Sequence, residues 1–274
     1  MTALSKIRHA QVAGQFYPAK ASDIKEQIGG FIDGQEKKID ALACVLPHAG
    51  YQYSGSVASQ TVARINIKDK VILLGPNHTG NGAIYSLMAE GSWQTPLGEV
   101  NIDTQLARSI LAASKYLEND SLAHSREHSL EVELPILQYF RDDFEIVPIA
   151  FMSDDLAGLK KIGEELAGVI QSSGLKDKTL LVASSDMTHY EPQNSAVAKD
   201  KLAIAAILEL DPDKLMREVK DSGISMCGYA PVIAMLAAVN SLGAKKARLI
   251  KYQTSAEVTG DRSAVVGYAG IIIN

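Results

Sequence analysis

Residues 41–51 read Ala41-Leu42-Ala43-Cys44-Val45-Leu46-Pro47-His48-Ala49-Gly50-Tyr51. Six apolar positions in a row, with no polar face, describe a strand covered on both sides. The run ends at a proline and delivers a histidine into a glycine-bearing bend. The same arrangement recurs twice. Lys70–Leu74 leads into Gly75-Pro76-Asn77-His78, and Thr179–Ala183 leads into Ser184-Ser185-Asp186-Met187-Thr188-His189. Phe144–Phe151, Ala247–Gln253 and Ala264–Ile272 are further apolar, β-branched runs.

Segments of helical period fill the intervals. They are Asp23–Ile32 with Ser22 as its cap, Ser56–Ile65, Thr104–Ala113, Leu130–Phe140, Leu156–Ile170, Ala196–Leu210, Pro212–Val219 and Pro231–Ser241. Strands alternating with helices of this length predict an α/β fold, a mostly parallel central sheet with helices on both faces. The last two strands are joined through Gly260-Asp261 and are expected to form an antiparallel hairpin. No repeat, low-complexity tract or linker divides the chain, so residues 1–274 are read as one domain.

Composition narrows the class. The 274 residues are 46% apolar and 22% charged, which excludes disordered and fibrous chains. With 27 basic and 32 acidic residues the net charge is −5, so no basic face for nucleic acid is expected. Apolar-rich runs such as Ile204–Leu210 and Gly267–Ile273 fall far short of the ~20 residues of a membrane helix. Met1–Gln11 has no apolar core of a secretory signal, and two cysteines cannot build a disulfide scaffold. A cytoplasmic protein is expected. Neither a substrate nor an oligomeric state is written in the sequence.

Ligands of open α/β sheets bind beyond the carboxyl ends of the strands. Of six histidines, His48, His78 and His189 occupy that position. Imidazole is the commonest metal ligand and acid–base group near neutral pH, so their convergence points to a metal or proton-transfer site. His124 and His128 form a second cluster in His124-Ser125-Arg126-Glu127-His128-Ser129. There, Ser129 reads as a helix cap with Glu131 and Glu133 in the first turn, which leaves His128 without a structural reason. Cys44 lies inside a strand and reads as an inert core thiol. Cys227 precedes a helix start, where a thiolate is favoured. Tyr51, Tyr53 and Trp93 are candidate walls of an aromatic pocket. The zinc-helix motif His-Glu-x-x-His, paired Cys-x-x-Cys, the serine elbow, the P-loop and the dinucleotide glycine motif are all missing.

Taken together, these pieces resemble the Memo family. The resemblance rests on Pro47-His48-Ala49-Gly50-Tyr51 with Ser54-Gly55, Leu74-Gly75-Pro76-Asn77-His78, and Glu127-His128-Ser129-Leu130-Glu131 leading to Leu134-Pro135. Ser184-Ser185-Asp186 with His189, then Cys227-Gly228, complete it, and the motifs run in the family's order from Gly14-Phe16-Tyr17-Pro18 onward. In prokaryotes the family is the B component of a set that includes a radical-SAM protein. It is similar in fold to the class III extradiol dioxygenases, which hold non-haem Fe(II) on two histidines and a glutamate.

By that resemblance His48 and His78 are metal ligands, and Cys227 stands where the dioxygenases have the glutamate. His128 and His189 match proton-moving histidines, and Asp186 is implied as an acceptor that orients an imidazole. A thiolate ligand makes the site softer, so ring cleavage is not carried over with the fold. The expected cofactor is a divalent metal, Fe(II) favoured, with zinc or copper as alternatives. Two readings stay open: an iron-dependent, dioxygenase-like oxidoreductase acting on a small molecule, or a non-catalytic metal- or peptide-binding protein. Neither requires nucleic acid or membrane.

Overall fold

The computed structural model describes residues 7–32, 34 and 37–274, so the first six residues of the stretch read for a secretory signal lie outside it. The chain runs β1 (Ile7–Arg8), α1 (Ala21–Gly30), β2 (Ala43–Leu46), α2 (Ser56–Val62), β3 (Lys70–Pro76), β4 (Tyr85–Leu87), β5 (Ser92–Thr95), β6 (Gly98–Asn101), α3 (Thr104–Ala113), β7 (Glu118–Asn119), α4 (Glu133–Phe140), β8 (Glu145–Phe151), α5 (Leu156–Ser172), β9 (Thr179–Ser184), β10 (His189–Glu191), α6 (Gln193–Leu208), α7 (Pro212–Asp221), α8 (Tyr229–Ser241), β11 (Ala247–Thr254), α9 (Ala256–Thr259) and β12 (Val265–Ile273).

All six strands read from the sequence are present, and they form the body of a nine-stranded sheet with β12, β2, β9, β3 and β8 side by side. β2, β9, β3 and β8 are mutually parallel, and nearly every residue in them is buried. The sheet is nevertheless mixed rather than mostly parallel. β12 runs antiparallel to β2, β10 and β11, and β4 runs antiparallel to β8. The cause is connection length: a parallel crossover needs a dozen or more residues, and the link from β3 to β4 is shorter. β11 and β12 make the expected antiparallel hairpin, with Gly260 in the left-handed conformation after the short α9. A small separate sheet joins β1, β5 and β6.

Helices cover both faces. α8 lies on β2, β9 and β3 with α5 and α7 stacked over it. Every residue from Ala230 to Val239 is buried, as befits a helix apolar all round. α2 covers the opposite face against β12 and β11, with α4 beside it. Side-chain caps from Asp103, Asp155 and Asp211 start α3, α5 and α7. Two expected caps differ. Ser22 lies inside α1 and hydrogen-bonds Asp23, and α4 begins at Glu133, leaving Ser129 in the preceding loop. Among the described residues no helix is long and apolar enough to cross a membrane.

Candidate metal centre

The parallel register decides where the histidines go. Leu46 of β2 stands beside Ser184 of β9, and Leu74 of β3 beside Ala183. Three neighbouring strands therefore end at one level, and the residues that follow them face one another. The imidazoles of His48 and His78 lie 5.3 Å apart between centroids. His128 arrives from the loop before α4, 4.8 Å from His78 in a stacked pair and 5.6 Å from His48. Cys227 enters from the start of α8. Gly228 makes that approach possible, because a Cβ there would overlap the Ser184 carbonyl and the Ser185 side chain.

The ligand atoms of His48, His78 and Cys227 all lie within 4.8 Å of one another. Cys227 Sγ is 3.4 Å from His48 Nε2. With metal–nitrogen bonds near 2.0 Å and metal–sulfur bonds near 2.3 Å, two donors of a tetrahedral ion stand roughly 3.5 Å apart. The spacing and the two-imidazole, one-thiol donor set both fit a transition metal. His78, Glu127 and His128 also cluster. Glu127, however, is occupied: its oxygens accept the His78 and His128 backbone N–H groups, the Ser129 N–H at 2.8 Å, and His78 Nδ1 at 2.9 Å.

Each candidate ligand is aimed by a buried partner. Glu127 takes His78 Nδ1, leaving Nε2 as the ring's available ligand atom. Ser184 Oγ meets His48 Nδ1 at 2.7 Å. Asp186 does not reach either ring: its Oδ1 accepts the backbone N–H of His48 at 2.9 Å and of Ala49 at 3.3 Å. Its own N–H points at Cys227 Sγ, 3.3 Å away. His189 Nδ1 contacts the Ser225 carbonyl at 2.9 Å; a carbonyl only accepts, so Nδ1 carries a proton and the lone pair of the neutral ring lies on Nε2.

The loop carrying Glu127 and His128 is anchored by charges. Arg8, buried in β1 and lying 4.1 Å over the Trp93 ring, donates to the carbonyls of His124 and Glu127 and to Glu131. Glu131 also accepts from Gln11 and Val12 N–H and from Tyr17 Oη. Glu131 and Glu133 are thus buried anchors, not the helix-dipole charges expected. Ser129 holds the Pro76 carbonyl. His124 packs on Trp93 away from the cleft.

Burial dominates the electrostatics. It holds the His48 imidazole well below its ordinary value, with His78 and His128 adding to the effect. Burial and the charge of Asp186 push the Cys227 thiol up, overriding the helix start expected to favour the thiolate. Burial lifts Asp186 to about 6 against the opposing pull of His189. Glu127 goes the other way: burial would raise it, but the hydrogen bond and charge of His78 and the donated N–H groups hold it at about 2.

Above the cluster opens a cavity of about 520 Å³, the size of a small-ligand site. His48, His78, His128, Asp186 and His189 form its polar wall; Phe16, Tyr53, Tyr190 and Tyr268 face them. Tyr190 is 78% exposed and holds φ at +57°, a strained backbone for a bulky residue beside His189. Of the aromatic residues expected in the pocket only Tyr53 lines it, since Tyr51 and Trp93 are core. Cys44 is core as read. Sequence reasoning assigns no site role to Glu127, Ser184 or Phe16, although each stands inside one of the motifs quoted above.

The family model described as "Memo-like protein" matches residues 8–272. Among curated relatives, a MEMO1 family protein of Methanopyrus kandleri is 39% identical, covering 97% of this chain and 98% of its own. One from Methanococcus maripaludis is 42% identical, covering 97% and 99%. The chain is also similar in fold, at a TM-score of 0.58 and 12% identity, to the crystal structure of an uncharacterized protein from Escherichia coli K12, over 84% of this chain and 98% of that one. With the match running through β1 to β12 and relatives near 40% identity along their whole length, this chain belongs to the Memo family.

Proposed function

We propose that this chain is a cytoplasmic metal-dependent redox enzyme acting on a small molecule, with Fe(II) the favoured ion and zinc or copper the alternatives. The observation that carries the reading is the convergence of His48, His78 and Cys227 within 4.8 Å, with both imidazoles lining a ligand-sized cavity. Iron held there would supply a one-electron redox change at the substrate. The rest falls to the chain's own groups. His189 Nε2, its lone pair directed by the Nδ1–Ser225 contact, takes a proton from the ligand. His128, whose charged form burial disfavours, passes a proton on readily. Asp186 holds the His48 and Ala49 amides and places a negative charge near His189. The aromatic wall excludes water from the ligand's far face.

A second reading is a metal- or peptide-binding protein without turnover, favoured by the exposed Tyr190 at the mouth and the aromatic wall. Metal content by mass spectrometry tests the shared core of both. Wild type and Cys227→Ser are purified anaerobically and reconstituted with Fe(II), Zn(II) or Cu(I). Stoichiometric metal in the wild type and its loss in the variant support the site; no metal in either sinks it. O₂ consumption or oxidation of catechols and small phenols, lost in His189→Ala with metal retained, then separates enzyme from binder.

A further inference from the structure

Ser184 Oγ makes three contacts: Ser129 O at 2.9 Å, Glu133 Oε1 at 2.7 Å and His48 Nδ1 at 2.7 Å. A hydroxyl has one proton to give and two lone pairs to receive with, so three hydrogen bonds exhaust it. The Ser129 carbonyl can only accept and therefore takes the Ser184 proton. The other two partners must then both donate. His48 does so as the Nδ1–H tautomer, and a carboxyl can do so only as the neutral acid.

We infer that Glu133 is a neutral carboxylic acid that donates to Ser184 and, through it, locks His48 with its proton on Nδ1 and its Nε2 lone pair facing Cys227. Glu133 is a positioning residue: it touches neither the cavity nor a candidate ligand. Three features of its surroundings agree. It is fully buried, 0% exposed, on the first turn of α4. Its second oxygen, Oε2, has no hydrogen-bond partner, tolerable for the carbonyl of an acid but severe for half of a carboxylate. The ionisable groups facing it are Cys44, Tyr51 and Asp186, none of them a cation, and burial pushes its carboxyl well above the usual range.

The alternatives each break a bond. An ionised Glu133 would claim the Ser184 proton and leave Ser129 O and Ser184 Oγ as two acceptors in contact. A His48 proton on Nε2 would make the same collision and point an N–H at Cys227. The consequence for the metal site rests on the function proposed above, since only a ligand needs Nε2 presented; the protonation pattern itself does not.

The test uses the full-length protein without metal at pH 7, with ¹³C-labelled glutamate and ¹⁵N-labelled histidine. Expected are one protonated glutamate carboxyl signal, removed by Glu133→Gln, and His48 protonated at Nδ1. An ionised Glu133 or a proton on Nε2 overturns the inference. Substitution supplies the second arm. Glu133→Gln retains a donor and keeps the tautomer and Zn(II) affinity within about threefold; Glu133→Leu and Ser184→Ala release the tautomer and weaken Zn(II) by about tenfold or more. Glu133→Gln as damaging as Glu133→Leu would also overturn it. A neutral Glu133 in a protein that binds no metal would retire the proposed function and leave this assignment standing.

Discussion

Cys227 Sγ and His48 Nε2 stand 3.4 Å apart although 179 positions separate them in the chain. Burial keeps that thiol protonated at neutral pH, with Asp186 adding to the effect, so a metal ion binding there must displace its proton. Protons and metal compete for one sulfur, and affinity rises with pH. The expected slope is about tenfold per pH unit with one proton released per ion. Calorimetric titration of Zn(II) in two buffers of different ionisation enthalpy reads the release directly. Cys227→Ser loses both the proton release and about 100-fold or more in affinity; a wild type that releases no proton excludes the thiolate ligand.

Glu127 aims His78 and ties down three backbone amides, which predicts a signature in acid. Its folded value is depressed from 4.5 to about 2. A depressed acid contributes stability that is complete above its unfolded value and is lost as pH falls from there through the folded one. The difference corresponds to about 3 kcal/mol. Glu127→Gln is expected to be less stable than wild type by an amount of that order at pH 7, with the gap closing toward pH 2–3, in urea titrations. It also weakens metal binding by about tenfold through the freed His78 ring. A gap independent of pH would contradict the charged role.

The strand ends, and with them His48, His78 and His189, are legible in the sequence because apolar runs that stop at Pro, Gly or polar residues mark buried strands whatever their neighbours. The supporting residues are not. Glu127 is 49 positions from His78, and Ser184 is 136 from His48, so only the register of the sheet brings them together. Short edge strands such as β7, two residues long, carry no period to read. The same limit hid the mixed sheet, whose antiparallel margins follow from connection lengths and not from residue pattern. Ser129 and Glu131 illustrate the opposite error: local helix-start chemistry suggested itself, and tertiary anchoring by Pro76 and Arg8 prevailed.

Asp186 holds a burden of charge that a neutral isostere would relieve. Its folded value is raised from 3.8 to about 6 by burial, so ionisation is disfavoured by the fold. The stability is complete below the unfolded value and lost as pH rises through about 6, by at most about 3 kcal/mol. Asp186→Asn keeps an oxygen to accept the His48 and Ala49 amides. The metal-free variant is therefore expected to melt with wild type near pH 4 and above it at pH 8, while on the proposed function the metal-loaded variant turns over more slowly because the charge near His189 is gone. Melting curves that stay superimposed at pH 8 would contradict an energetic burden at this position.

Arg8 and Glu131 anchor the loop of the site by an ion pair at 2.7 Å with side chains 5% and 1% exposed. Removing one partner of a buried pair leaves the other charge without compensation, at about 3–5 kcal/mol. Glu131→Ala is expected at the upper end, because Arg8 stays buried and the Gln11, Val12 and Tyr17 donors are orphaned as well. Arg8 also holds the Glu127 carbonyl, so the damage spreads to the loop that aims His78. Hydrogen exchange should therefore rise across residues 120–131 in Arg8→Met, with weaker Zn(II) binding, while β9 and α8 stay protected. Exchange confined to the β1 segment, with Zn(II) affinity unchanged, would show that the anchor holds the chain's start and not the metal site.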